Sequence, residues 1–176
     1  PVEDIDLATK LTPGDVTWRL ENANIKVIPT GIDHGTVTAV FKDRSFEVTT
    51  LRKDIATDGR RATISFSDSW VEDAERRDFT MNTLLADVKG NVYDPLNKGY
   101  EDLKSRHVVF AGVPSKRIEE DYLRILRFFR FHALYGSEEM DGKALKACSA
   151  AADKISTLSK ERISQEFYKI CASKRF

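Results

Sequence analysis

The sequence predicts an α+β fold: a mixed β-sheet flanked by helices, followed by an all-helical region. Three observations carry that prediction. Short runs before residue 70 alternate polar and apolar residues with the period of a strand. Turn-forming residues punctuate those runs. Beyond about residue 114 the strand pattern stops and the apolar spacing becomes helical.

Asp4-Ile5-Asp6-Leu7-Ala8 alternates and reads as a short strand. Thr12-Pro13-Gly14-Asp15 then opens a helix, with Thr12 as N-cap and Pro13 at the first helical position. Residues 24–29 read as a second strand. Residues 36–41 and 46–51 alternate on either side of a turn at 42–45, the signature of a β-hairpin. A polar loop is expected at 54–60, a strand at 61–66 and a mainly helical segment at 68–87. Lys89-Gly90-Asn91 turns, and Pro95 and Gly99 punctuate the loop beyond. Three helices are expected at 117–135, 142–154 and 159–172, the last with Ser159 as N-cap. The change of pattern places a boundary after residue 112, between a sheet-containing head (1–112) and a helical region (113–176).

The 176 residues suit one large domain, or one domain with a smaller helical one. With 41% hydrophobic and 32% charged residues, the chain reads as soluble and globular. Lys+Arg and Asp+Glu both number 28, so a nucleic-acid surface must come from local clustering, not from net charge. Cys148 and Cys171 make neither a disulfide framework nor a zinc pair, which suits a reducing compartment. No apolar run reaches the ~18 residues of a membrane span, and no signal peptide is visible.

Asp4 and Asp6 lie two apart on an expected strand, so both carboxylates leave one face. Acids side by side repel unless a cation shares them, and oxygen-only ligands suit Mg²⁺. Glu47, flanked by Phe46 and Val48, stands as a third acid for a two-metal phosphoryl-transfer site. A solvated strand edge would carry the same pattern.

Arg76-Arg77-Asp78-Phe79-Thr80-Met81-Asn82 gathers two cations, an acid and an amide around one aromatic. Guanidinium groups match phosphate oxygens, and Asp or Asn accepts from a ribose hydroxyl. In the helix at 117–135, Tyr122, Ile125, Leu126, Phe129 and Ala133 form the expected core face. Asp121, Arg124, Arg127 and Arg130 wind along the opposite half, where Asp121 is expected to brace Arg124. An Asp–Arg pair offers acceptor and donors together, as reading a base edge requires. A solvated basic face with an ion pair is the structural alternative.

In order the chain reads D-I-D, H-G-T-V-T, F-E-V-T-T-L-R, D-G-R-R, R-R-D-F-T-M-N, D-P-L, Y-E-D-L and E-E-D-Y-L-R-I-L-R-F-F-R-F. This resembles the class II tRNA nucleotidyltransferase and bacterial poly(A) polymerase family, closely over about the first 135 residues. The RRDFT and EDxxRxxRxxRF segments are the specific part. The resemblance implies a nucleotidyltransferase head followed by an all-helical neck. It implies that Asp4 and Asp6 bind metal (Mg²⁺), that Glu47 completes the catalytic acids, and that Arg77 and Asp78 meet the nucleotide, with Asn82 beside them. Asp121 and Arg124 match the residues that hydrogen-bond the incoming base, and Arg127 and Arg130 match further nucleotide contacts. The implied reaction is template-independent addition of C, C and A to the 3′ end of tRNA from CTP and ATP. The implied partners are the tRNA 3′ end and acceptor stem, with no membrane. The implied setting is cytoplasmic, or mitochondrial in a eukaryote. Alternatives within the family are poly(A) synthesis or A-only or CC-only addition; outside it, a non-catalytic RNA-binding relative. The family's glycine-rich segment before D-x-D, and its body and tail, are not in these residues. The head is therefore expected to be N-terminally incomplete, and the 176 residues alone are not expected to extend tRNA.

Overall fold

The computed structural model describes residues 5–58 and 61–173. They fall into two compact units, Pro1–Ala56 with Ala62–Asp73, and Thr57–Arg61 with Ala74–Phe176.

The first unit is built on a four-stranded mixed sheet. Strands β1 (Asp6–Thr9), β2 (Lys26–Gly31), β3 (Thr36–Phe41) and β4 (Arg44–Thr50) stand in the order β1-β4-β3-β2. β1 runs parallel to β4, and the other pairs are antiparallel. The expected hairpin is present: Phe41 pairs with Arg44, and Lys42 takes the left-handed conformation (φ 55) that a tight two-residue turn requires. Helix α1 (Pro13–Asn22) begins as the sequence foretells, with Thr12 accepting from the Asp15 N–H at 3.2 Å. Its Val16 closes a core with Val37, Ala39 and Val48 on one face of the sheet. Gly35, at φ 82, turns the chain into β3 where an added Cβ would sit 3.0 Å from the Phe66 ring. The loop expected at 54–60 is in part a strand: β5 (Arg52–Asp58) pairs with β6 (Arg61–Phe66) in a separate two-stranded sheet. Its polar residues hid it, since edge pairs need little apolar surface.

The second unit is mainly helical. The helix expected at 68–87 is much shorter: α2 (Trp70–Glu75), most of which belongs to the first unit, followed by a 3₁₀ turn at Thr80–Thr83 in the second. Between them the chain turns at residues 76–78 and is extended at Phe79, which bridges Phe110: Thr80 N–H donates to Val109 O, and Ala111 N–H to Asp78 O, both at 2.9 Å. That departure from helix carries Phe79 into the core, where it is fully buried, 4.8 Å from the Phe110 ring and 5.2 Å from Phe131. A small hairpin, β7 (Leu85–Ala86) with β8 (Val92–Tyr93), leads to α3 (Gly99–Lys104). Gly99 is required here, because a Cβ would lie 2.3 Å from Thr80 O.

The single helix expected at 117–135 is two helices, α4 (Pro114–Glu120) and α5 (Leu123–Tyr135). Asp121 between them is extended (φ -158, ψ 108), and its Oδ1 accepts from the Leu123 N–H at 3.1 Å. Aspartate competes with helical hydrogen bonding in this way and favours helix starts. The core face of α5 centres on Ile125 and Phe128. Of the expected arc, Ile125 is buried in that core and Tyr122 and Phe129 pack against it, while Phe128, outside the arc, joins it by packing on Phe79 and Phe110. Helix α6 (Gly142–Ala150) is N-capped by Asp141 and gives way to a 3₁₀ turn at Ala152–Thr157. Helix α7 (Lys160–Cys171) starts after Ser159, whose hydroxyl makes no capping bond. Both cysteines are free thiols, and burial pushes the Cys148 thiol up to about 11.

Candidate active site

The acids of the first unit stand on the sheet face opposite its core. Asp6 is in register with Glu47 on the neighbouring parallel strand, and Glu47 with Thr38 on the next. Register partners on adjacent strands share a face and stand roughly 5 Å apart, so the two carboxylates are neighbours. Both are exposed. Among the described residues neither side chain has an ion-pair or hydrogen-bond partner. Asp4 lies outside the described residues. Among those described, no three His, Cys, Asp or Glu side chains converge. What is present is an oxygen-only pair without a counter-ion, the donor chemistry that suits a hard divalent cation.

The RRD segment lies in the second unit and is tightly held. Arg77 Nη1 donates to Asn82 O at 3.0 Å. Asp78 accepts at Oδ1 from the Asn82 amide and from the Phe79 N–H, each at 2.9 Å. Its Oδ2 takes Arg127 through Nε at 2.6 Å and Nη2 at 2.5 Å. Burial works to raise the Asp78 pKa, but Arg127 and the two hydrogen bonds outweigh it and hold the carboxyl below its ordinary value. Arg77, Asp78, Asn82 and Arg127, singled out separately in the sequence, are thus one bonded cluster.

The expected Asp121–Arg124 side-chain pair does not form. The helix break turns Asp121 towards α7, where Arg162 Nη2 donates to it at 2.7 Å. Arg124 rests instead on Glu120 Oε2 at 2.5 Å and on the main-chain oxygen of Arg117 at 2.7 Å. Arg130 pairs with the buried Glu166 at 3.2 Å and covers the Phe131 ring at 4.5 Å; Arg127 reaches Glu166 at 3.9 Å. Burial pulls the Arg130 pKa below its ordinary value and nearby Arg127 adds to this, with Glu166 opposing.

Sequence reasoning missed Glu120, Arg117, Arg162 and Glu166. The Arg117–Glu120–Arg124 spacing of three and four was a readable ion-pair signal. Arg162 and Glu166 meet partners some forty residues away, and nothing local announces them.

The mixed sheet and its flanking helix have the fold of a nucleotidyltransferase head. The chain belongs to the poly A polymerase head domain family, whose model matches residues 1–109. It is 44% identical over 171 residues to the mitochondrial CCA tRNA nucleotidyltransferase 1 of Danio rerio, covering 96% of this chain and 39% of that protein. It is 37% identical to the CCA-adding enzyme of Staphylococcus epidermidis, covering 97% of this chain and 42% of that one. The chain thus spans about two fifths of the length of these curated relatives. The crystal structure of the Bacillus stearothermophilus CCA-adding enzyme in complex with CTP superposes with a TM-score of 0.84 at 32% identity, covering 99% of this chain and 41% of that one. No helix among the described residues is long and apolar enough to cross a membrane.

Proposed function

We propose that the protein adds C, C and A in turn to the 3′ end of tRNA, taking CTP and ATP without a nucleic-acid template. One observation supports this above the others: the likeness over 99% of the chain, at TM-score 0.84 and 32% identity, to a CCA-adding enzyme solved with CTP. In this reading residues 1–112 are the head, and 113–176 begin the helical neck of the tRNA-binding part, which engages the tRNA 3′ end and acceptor stem. The setting is cytoplasmic, or mitochondrial in a eukaryote; the mitochondrial relatives in zebrafish and human support the second.

Enzymes of this family are generally metal-dependent. Asp4, Asp6 and Glu47 would hold Mg²⁺, which supplies Lewis-acid activation of the 3′-hydroxyl and charge neutralisation of the pyrophosphate. The in-register Asp6–Glu47 pair, both oxygen donors and both without a counter-ion among the described residues, fits that task. The rest of the chemistry is positioning. Arg77, Asp78 and Asn82 hold the triphosphate and ribose, with Arg127 and Arg130 as further nucleotide contacts. Asp121 and Arg124 present acceptor and donors to the Watson–Crick edge of the incoming base. Asp121 does so with Oδ2 steadied by Arg162, and Arg124 with its guanidinium steadied by Glu120.

The description of the matching family model favours a second reading, poly(A) synthesis. Product length separates the two. The natural protein, given a tRNA ending in its discriminator base with CTP, ATP and Mg²⁺, is expected to add three nucleotides and stop. A ladder of adenylates supports the second reading, and no extension refutes both.

A further inference from the structure

We propose that Arg117 is the positioning residue that fixes the base-reading Arg124 and the RRD segment in one geometry. The inference rests on the reading of Arg124 as a base contact. Arg117 is 8% exposed in the middle of α4, and its guanidinium is engaged within the second unit. Nη2 donates to the main-chain oxygens of Arg76 and Arg77, the latter at 2.8 Å. Nη1 lies 2.8 Å from Glu120 Oε1 and 2.7 Å from Oε2. The same Glu120 carboxylate holds Arg124 Nη1, and that nitrogen also donates to the Arg117 main-chain oxygen.

Two proposed contacts therefore hang on one side chain. The peptide groups from which Arg77 and Asp78 issue are anchored by Arg117, and the carboxylate that orients Arg124 is shared with it. Only a planar fork of donors spans two carbonyls and a carboxylate in fixed directions; a lysine ammonium is a point donor on a flexible stem. Without the fork, Arg124 keeps its i,i+4 pair with Glu120 and the Arg117 carbonyl, but the Glu120 carboxylate loses the second guanidinium that fixes its own direction. The charge near the base then survives while its aim is lost. Discrimination should fall more than rate.

The test uses the natural protein, tRNA lacking its CCA, and kcat/KM for CTP and UTP. Arg117→Lys keeps charge and length, and is expected to lower the CTP-to-UTP ratio about tenfold, the size of one lost directional hydrogen bond. The single-turnover rate at saturating CTP should fall less. Combined with Arg124→Ala, it should lower the ratio no further than Arg124→Ala alone, because it acts through Arg124. Effects that multiply would mean that Arg117 acts on the choice independently of Arg124, and would overturn the proposal. An unchanged ratio in Arg117→Lys, with Arg124→Ala altering it, overturns the proposal and spares the base-reading assignment. An unchanged ratio in Arg124→Ala brings down both. If Arg117→Lys does not fold, Glu120→Gln replaces it, since the amide keeps the shape and removes the shared charge. The same loss of ratio supports the relay, and an unchanged ratio refutes it.

Discussion

The two compact units handle charge in opposite ways. In the first, Asp6 and Glu47 stand in register on an exposed sheet face, with no cation paired to them among the described residues. In the second, Arg124, Arg127, Arg130 and Arg162 each rest on a carboxylate: Glu120, Asp78, Glu166 and Asp121. An uncompensated acid pair attracts a cation by field. A guanidinium already neutralised offers little net charge, but its remaining donors are held in fixed directions. The first arrangement suits acceleration of one chemical step, the second choice among similar nucleotides.

The largest effect should come from breaking the first. Asp6→Asn in the natural protein is expected to lower transfer of labelled CMP by about three orders of magnitude, the scale of a lost metal ligand. Binding of tRNA should be largely unchanged, as a filter assay would read. Transfer at a near-normal rate would remove Asp6 from the site.

In the second unit the same neutralisation is expected to show as stability. Asp78→Asn removes the anion facing Arg127 and should destabilise by about 2 kcal/mol, below the usual cost of breaking a fully buried pair because Arg127 is 30% exposed. The sign with pH follows from the lowered Asp78 pKa. The contribution is present above the ordinary value of 3.8 and is lost as pH falls through the lower folded value. Urea midpoints of the unsubstituted protein should therefore drop more steeply in that acid range than those of Asp78→Asn. Parallel curves would mean that the pair contributes nothing.

What the sequence made legible follows the same division. Local patterns announced the Thr36–Phe41 and Arg44–Thr50 hairpin and the Thr12 cap, because strand alternation and capping act over a few residues. The arginine series was also visible, but its partners were not. Asp121 left the helix to cap the next one, which moved it from Arg124 to Arg162. Phe79 drew the RRD segment out of a helical pattern because burying that ring in the aromatic core outweighs local propensity. Glu166 lies in another helix, 36 residues beyond Arg130, and such pairings depend on tertiary packing alone.

The smallest effect is a control in the first unit. Thr12→Ala removes the cap of α1 and should cost about 1 kcal/mol in thermal or urea unfolding. Nucleotide preference should not move, since α1 lies on the sheet face opposite Asp6 and Glu47. A change in preference would mean that the sheet's two faces are coupled.

A division of labour is proposed, in which the sheet acids set the rate and the paired arginines set the choice. It is tested most directly by kcat/KM for CTP, ATP, UTP and GTP on tRNA lacking its CCA, with Asp6→Asn and Arg124→Ala side by side in the natural protein. Asp6→Asn should lower all four values by a common factor and leave their ratios intact. Arg124→Ala should shift the CTP-to-UTP ratio by about tenfold while slowing a single turnover with CTP less. Altered ratios in Asp6→Asn, or four unchanged ratios in Arg124→Ala, would contradict the division.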